Sequence, residues 1–255
     1  MDECIHGFEP GMCATCFPAA EPERPAPATR RATSKPASLR TPRADASGRV
    51  APVKAPNLPQ RIFHVTHVDN LAGILGDGAI KPSSAAEPAV KLGSEITDEL
   101  RRTASATGEA SVADCVAFSL SPQATWWTEV QQGAAGPTWS EQARHATITD
   151  FVVLGVPIAA VEQRLVVTDG DAAAMVTTIS TPDTVRRMLA RAAGDPAVLQ
   201  AAEALIPGEV TLDTVALVAV ANEKRRAEVR GLLAEAGLPA KVVVYPPWFV
   251  PVELS

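Results

Sequence analysis

Phe63-His64-Val65-Thr66-His67-Val68-Asp69-Asn70-Leu71-Ala72-Gly73-Ile74-Leu75-Gly76-Asp77-Gly78 carries the most specific pattern in this 255-residue chain. Its first part, with Arg61 and Ile62, alternates as a half-buried strand does. Asp69 is placed to cap a helix whose apolar positions are Leu71, Ile74 and Leu75, and Gly78 stands where a left-handed C-cap belongs. Side chains alternate along a strand, so His64 and Thr66 share a face. Both can donate and accept hydrogen bonds, as a ribose or an amide requires. By spacing alone the plainer reading is favoured, a buried His and Thr satisfied by the backbone, because a lone H-x-T is a weak signal.

Outward from this corner, Ala79–Lys81 starts another extended piece, and residues 83–112 are polar and irregular with one helix near 93–103. Cys115–Leu120 reads as a strand, and Pro122 opens a helix bearing Trp126, Trp127 and Val130. Strands follow at Phe151–Val156 and Leu165–Thr168, then a turn at Asp169–Asp171. Helices are predicted over 181–193 and 196–205. Val215–Val220 is a strand, Asn222 caps a helix ending near Gly237, and Lys241–Tyr245 is the last strand. The alternation is not a steady βαβ repeat and no G-x-G-x-x-G fingerprint is present, which disfavours a dinucleotide-binding doubly wound sheet. The pattern predicts an α+β domain over 59–255. No apolar run is long enough to span a membrane. The acidic, cysteine-bearing N-terminus lacks the features of a secretory signal, so a cytoplasmic protein is expected.

Upstream, residues 19–58 consist mostly of Pro, Ala, Arg, Ser and Thr, too little apolar surface to offset ordering entropy, and read as a disordered linker. The linker carries +5, the first 18 residues −3, and the remainder −8, for a net charge of −6. A basic arm on an acidic body suits a polyanion held by the arm; the plainer alternative is a solvated spacer. Residues 1–18 hold Cys4, His6, Cys13 and Cys16 in the pattern C-x-H-x6-C-x2-C. Four such ligands suit tetrahedral zinc, closed and therefore structural, in a knuckle too small for its own core. The fourth cysteine, Cys115, falls inside an apolar strand and reads as a core residue.

The string from Phe63 to Gly78 resembles the opening of the DarT family of DNA ADP-ribosyltransferases: an aromatic, His-x-Thr-His, an Asn-Leu pair and an Ile-Leu…Gly helix end. Val116–Pro122, Val167–Ala172 and Lys224–Val229 are similar to later family segments, so that the likeness runs over roughly residues 61–245. The resemblance implies a split antiparallel β-sandwich of the ADP-ribosyltransferase type, with NAD as co-substrate. It implies that His64 and Thr66 contact NAD, with Asn70 near the same pocket, and that Glu228 is the catalytic glutamate. A carboxylate on the ribose 2′-hydroxyl would stabilise the positive charge that develops as nicotinamide leaves. The acceptor implied is a thymine or guanine in single-stranded DNA, and a macrodomain antitoxin is the implied protein partner.

Two features complicate this picture. The family usually carries an arginine after the Phe-x-x-x-Pro strand, and here that position falls on Gln123, which is neutral. Arg144, Arg164 and Arg226 are candidate substitutes; otherwise the acceptor differs or activity is reduced. Glu228 also fits a solvated helix position beside Glu223 and Glu235. Trp126, Trp127 and Trp139 form either a stacking platform for a base or core filling. The rival functions are therefore a nucleic-acid-binding protein with an inactive NAD-binding domain, and transfer to protein or RNA.

Overall fold

The computed structural model describes residues 57–251; the knuckle ligands Cys4, His6, Cys13 and Cys16 and most of the linker lie outside them. The chain runs through β1 (Arg61–His67), α1 (Leu71–Asp77), β2 (Ala79–Ile80), α2 (Glu95–Thr103), β3 (Ser105–Thr107), β4 (Ala110–Ser111) and β5 (Cys115–Ser119). It continues through α3 (Thr125–Gln131), α4 (Glu141–His145), β6 (Phe151–Pro157), α5 (Ile158–Val161), β7 (Val166–Val167), α6 (Val185–Gly194) and α7 (Pro196–Ala201). It ends with β8 (Glu203–Pro207), β9 (Val210–Thr211), β10 (Leu217–Val220), α8 (Glu223–Glu235) and β11 (Lys241–Val244).

Seven strands form one sheet in the order β11-β10-β6-β1-β5-β8-β7. Every neighbouring pair is antiparallel except β10 and β11. The expected α+β class holds, with a large, mostly antiparallel sheet. β1 pairs with β6 along its whole length, from Arg61 opposite Pro157 to His67 opposite Phe151. With β5 it shares one pair only, Phe63 opposite Ser119. The two strands therefore part beyond Phe63, and the sheet opens at its centre.

Alternation along the strands divides the core between the two faces. Ile62, Phe118, Leu154, Val218 and Ile206 face the layer that holds Leu71 of α1, Leu189 of α6 and Val229 of α8. On the other face, Val65, Phe151, Val153 and Ala219 pack with Trp127, Val130 and Phe249. A third cluster of Val112, Cys115, Val166 and Leu205 sits beneath α2 and the β3–β4 hairpin. Each fully buried Leu, Ile, Val or Phe contributes about 1.5–3 kcal/mol. Burial, with Asp114 second, pushes the Cys115 thiol up to about 11, as befits a core thiol.

Several local expectations are corrected. Asp69 does not cap α1: it lies in a short 3-10 turn, Val68–Asn70, whose cap is His67, with Nδ1 accepting from the Asp69 amide. Gly78 takes the left-handed C-cap expected of it, at φ 69°. Pro122 precedes α3 instead of opening it, because the chain first makes a turn in which the Gln123 amide bonds Ser121 Oγ. The predicted helix over 196–205 ends at Ala201, and Glu203–Pro207 is strand β8, paired on both sides. Ala-Ala-Glu-Ala-Leu favours helix locally, but β5 and β7 supply the ladder and the burial that override propensity. At the other end, Leu58, expected in the linker, packs against the main core, and the Gln60 carbonyl accepts from Ile158.

Candidate active site

The opening between β1 and β5 places the conspicuous polar groups of the described residues around one break in the sheet. His64, on β1, turns its ring toward the diverging strand and meets the Ala117 carbonyl at 3.0 Å, edge-on to Phe118. A carbonyl can only accept, so the shared proton is on Nδ1 and, in the neutral ring, Nε2 keeps a lone pair. Burial lowers the His64 pKa, the Ala117 bond opposing the shift only in part, and the ring is neutral at pH 7.

Thr66 lies two residues on and is buried. Its Oγ1 accepts from Asn70 Nδ2 at 3.0 Å. The same amide donates to the Val90 carbonyl at 2.9 Å and accepts from the Val90 amide at 2.8 Å. The Asn70 side chain is thus committed to tying residue 90 of the irregular segment to the end of β1. His64, Thr66 and Asn70 are brought together, with Asn70 as the brace.

Glu228 is not part of this group. It sits on α8, which packs over β10 and β11 and touches α1, with its carboxylate bonded at 2.7 Å to Arg225, which also pairs with Asp150. Its side chain is 45% exposed. A different glutamate stands beside the opening. Glu203, the first residue of β8, lies directly across from Ser119, which in turn lies across from Phe63. Two strand spacings, roughly 10 Å, thus separate its backbone from β1. Its side chain is 10% exposed, and Glu203 is the one carboxylate among the described residues buried to this degree. Arg101 of α2 grips it with both terminal nitrogens, Nη2 to Oε2 at 2.9 Å and Nη1 to Oε1 at 3.4 Å, and the Ala172 amide donates to Oε1 at 3.1 Å. Burial works against the Arg101 charge, but the field and hydrogen bonds of Glu203 outweigh it and raise the Arg101 pKa. Arg101 stays charged, and Glu203 Oε2, accepting one bond, keeps a lone pair for a hydroxyl.

Gln123, where an arginine was expected, leaves no gap in this arrangement, because Arg101 reaches the carboxylate from the segment 83–112. The three substitutes considered do not reach it. Arg144 bonds Glu141 and the carbonyls of Ala134 and Gly136, Arg164 bonds the carbonyls of Pro207 and Glu209, and Arg226 pairs with Glu223. Nothing in sequence spacing distinguishes Arg101 or Glu203, since they are 102 positions apart and Glu203 falls in a segment with helical preference.

The tryptophans divide between the two roles. Trp127 is fully buried against Phe151, with ring centroids 4.9 Å apart, and is core. Trp126 is partly exposed and donates to Ser119 Oγ at 2.8 Å, which hangs its ring beside the Phe63–Ser119–Glu203 row. Trp139 lies 6.3 Å from it at 33°, its indole N–H buried without a partner. A neutral His and a buried ion pair thus flank the opening between β1 and β5, with Trp126 beside the Phe63–Ser119–Glu203 row and Trp139 against Trp126. Such a site can orient a polar ligand and stabilise positive charge beside Glu203. Among the described residues no three metal-ligating side chains cluster, and no helix is long and apolar enough to cross a membrane.

Comparison with known proteins bears on the fold and the family. Residues 63–192 match the family model for DarT, ssDNA thymidine ADP-ribosyltransferase. No curated protein sequence shows a significant match. Among solved structures, the chain is similar to Thermus sp. 2.9 DarT in complex with ADP-ribosylated ssDNA, with TM-score 0.63 and 19% identity over 74% of this chain and 96% of that one. The same protein in complex with NAD+ gives TM-score 0.59 and 21% identity, covering 74% and 97%. Thermosipho africanus DarTG in complex with ADP-ribose gives 0.56 and 15%, covering 74% of this chain and 51% of that one. At these identities the likeness is one of fold. The family match ends before both Glu203 and Glu228, so geometry alone chooses between them. With more than half of its length matched, the chain belongs to the DarT family of ssDNA thymidine ADP-ribosyltransferases.

Proposed function

We propose that this NAD-dependent enzyme transfers ADP-ribose to thymidine in single-stranded DNA at the opening between β1 and β5, with Glu203 as the catalytic carboxylate in place of Glu228. The observation that carries this is the buried Arg101–Glu203 pair beside the break in the sheet. Loss of nicotinamide builds positive charge on the ribose. Glu203 Oε2, with its remaining lone pair, accepts from the ribose 2′-hydroxyl and stabilises that charge where it forms. Arg101 stays protonated and holds the carboxylate in one orientation, so no reorganisation is needed as the charge develops. The neutral His64 accepts a sugar hydroxyl at Nε2, and Thr66 shapes the same wall. Asn70 acts through Thr66 and Val90 as a positioning residue. Trp126 offers an aromatic face to the acceptor base. Attack at the anomeric carbon forms the new bond as the nicotinamide leaves with the old bonding pair; thymidine gives up its ring proton.

This reading supports the split β-sandwich description, since the two halves of the sheet part between β1 and β5. It removes the ground for an inactive binding domain, which was Gln123. The solved relatives in complex with NAD+, with ADP-ribosylated ssDNA and with ADP-ribose support NAD, single-stranded DNA and ADP-ribose chemistry here. A macrodomain antitoxin acting on the same product is the proposed protein partner and the cytoplasm the proposed compartment; the ADP-ribose bound by Thermosipho africanus DarTG supports the first. Residues 1–18 are proposed as a structural zinc knuckle on the 19–58 linker, adding a basic arm for nucleic acid. The test is transfer of label from NAD to thymidine oligonucleotides by wild type, Glu203→Gln and Glu228→Gln. Loss with the second substitution and not the first would overturn the assignment.

A further inference from the structure

A cavity of about 1000 Å³ lies at the β7 edge of the sheet, and none of His64, Thr66, Arg101, Trp126 and Glu203 lines it. Arg61, Arg164 and Arg186 line it, against one acid, Glu162, with Leu58 and Ile158 among its apolar walls. Arg61 and Arg186 are exposed and, among the described residues, take part in no ion pair. Arg164 is held by two bonds from Nη1 to the Pro207 and Glu209 carbonyls, which leaves its other nitrogens free to donate. The residues after the linker carry −8, so three arginines on one cavity are a local reversal of charge. The wall beginning at Leu58 is also where the +5 linker joins the domain. The cavity is at the upper end of the size of nucleotide sites, with the basic and apolar surface that phosphates and bases require.

We propose that this groove is a second nucleic-acid site, binding the phosphodiester backbone of single-stranded DNA away from the reacting base. Its chemistry is an oligoanion spaced at nucleotide intervals, recognised mainly by charge. It rests on the reading of the chain as a single-strand enzyme only for the identity of the strand.

Binding of fluorescent thymidine oligonucleotides of about 5 and about 25 nucleotides is measured on the full chain without NAD, with Arg61→Ala/Arg186→Ala and Arg186→Glu as variants. Each lost phosphate contact lowers the salt slope by about 0.7 for a single strand. From roughly 50 to 200 mM salt the wild type is therefore expected to lose about sevenfold more affinity for the long strand than the double variant, with the short strand little changed and melting temperature retained. Equal salt slopes in the wild type and both variants overturn the proposal. So does competition by AMP or by polyglutamate for the arginine-dependent binding at concentrations where unlabelled 25-nucleotide strand does not compete, which would assign the groove to a free nucleotide or to an acidic protein. Because NAD is absent, an arginine-dependent slope in a chain that transfers no label supports the groove and defeats the reading of the opening between β1 and β5.

Discussion

Arg101 Nη2 donates to Glu203 Oε2 at 2.9 Å, joining helix α2 to the first residue of strand β8 across 102 positions of sequence. This contact selects one glutamate out of many and aligns it with Ser119 and Phe63 across the opening of the sheet.

Glu203→Gln keeps the shape and the Arg101 contact but removes the charge. Transfer of label from NAD to single-stranded DNA is expected to fall by about 100- to 1000-fold, the scale of losing one electrostatic stabiliser of a transition state. Glu228→Gln, at an exposed ion pair, is expected to change the rate by no more than about twofold.

Arg101→Ala leaves Glu203 buried without its partner. The domain is expected to lose about 3–5 kcal/mol, read as a lower urea midpoint with unchanged slope. Arg101→Lys keeps a charge but not the two-pronged grip, and is expected to recover part of the stability and little of the rate.

His64 is held neutral by burial, so its folded pKa lies below the unfolded value of about 6.5. The unfolded chain then binds the extra proton first, and stability contributed above that value is lost as pH falls through it toward the folded pKa. His64→Asn is expected to remove this part of the acid sensitivity. The melting temperatures of wild type and variant, compared between about pH 7.5 and 5, give the difference slope. A flat difference would mean that the ring is not neutral in the fold.

Asn70→Ala breaks three hydrogen bonds and frees residue 90 from the end of β1. A loss of about 1–3 kcal/mol is expected for the buried partners left behind, with faster amide exchange at Val90. KM for NAD is expected to rise more than kcat falls, because Asn70 braces the binding wall.

Zinc in the full chain is expected at one ion per molecule by elemental analysis, removed by chelator or by Cys13→Ser/Cys16→Ser. Melting of the transferase domain, whose described residues hold no metal cluster, is expected to stay unchanged.

The order of most elements was legible in the sequence because local rules govern them. The β1–α1 corner follows from alternation, an Ile-Leu pair and a glycine able to take φ 69°. Asn222 caps α8 through the Arg225 amide as its side chain predicts. The family, and with it the use of NAD, was legible for the same reason: the Phe63–Gly78 string is contiguous. What sequence could not supply was any contact whose two halves are far apart. β8 was hidden because Ala-Ala-Glu-Ala-Leu prefers helix until two neighbouring strands take its backbone bonds. Glu203 was hidden with it, and Arg101 was one arginine of many on an exposed-looking helix. Asn70 read as a ligand contact until Val90 closed onto its amide. Local propensity and periodicity are properties of neighbouring residues. The break between β1 and β5, the burial of an ion pair and the placing of Glu203 beside that break arise only when distant segments share a low-dielectric interior, and so tertiary structure alone decided them.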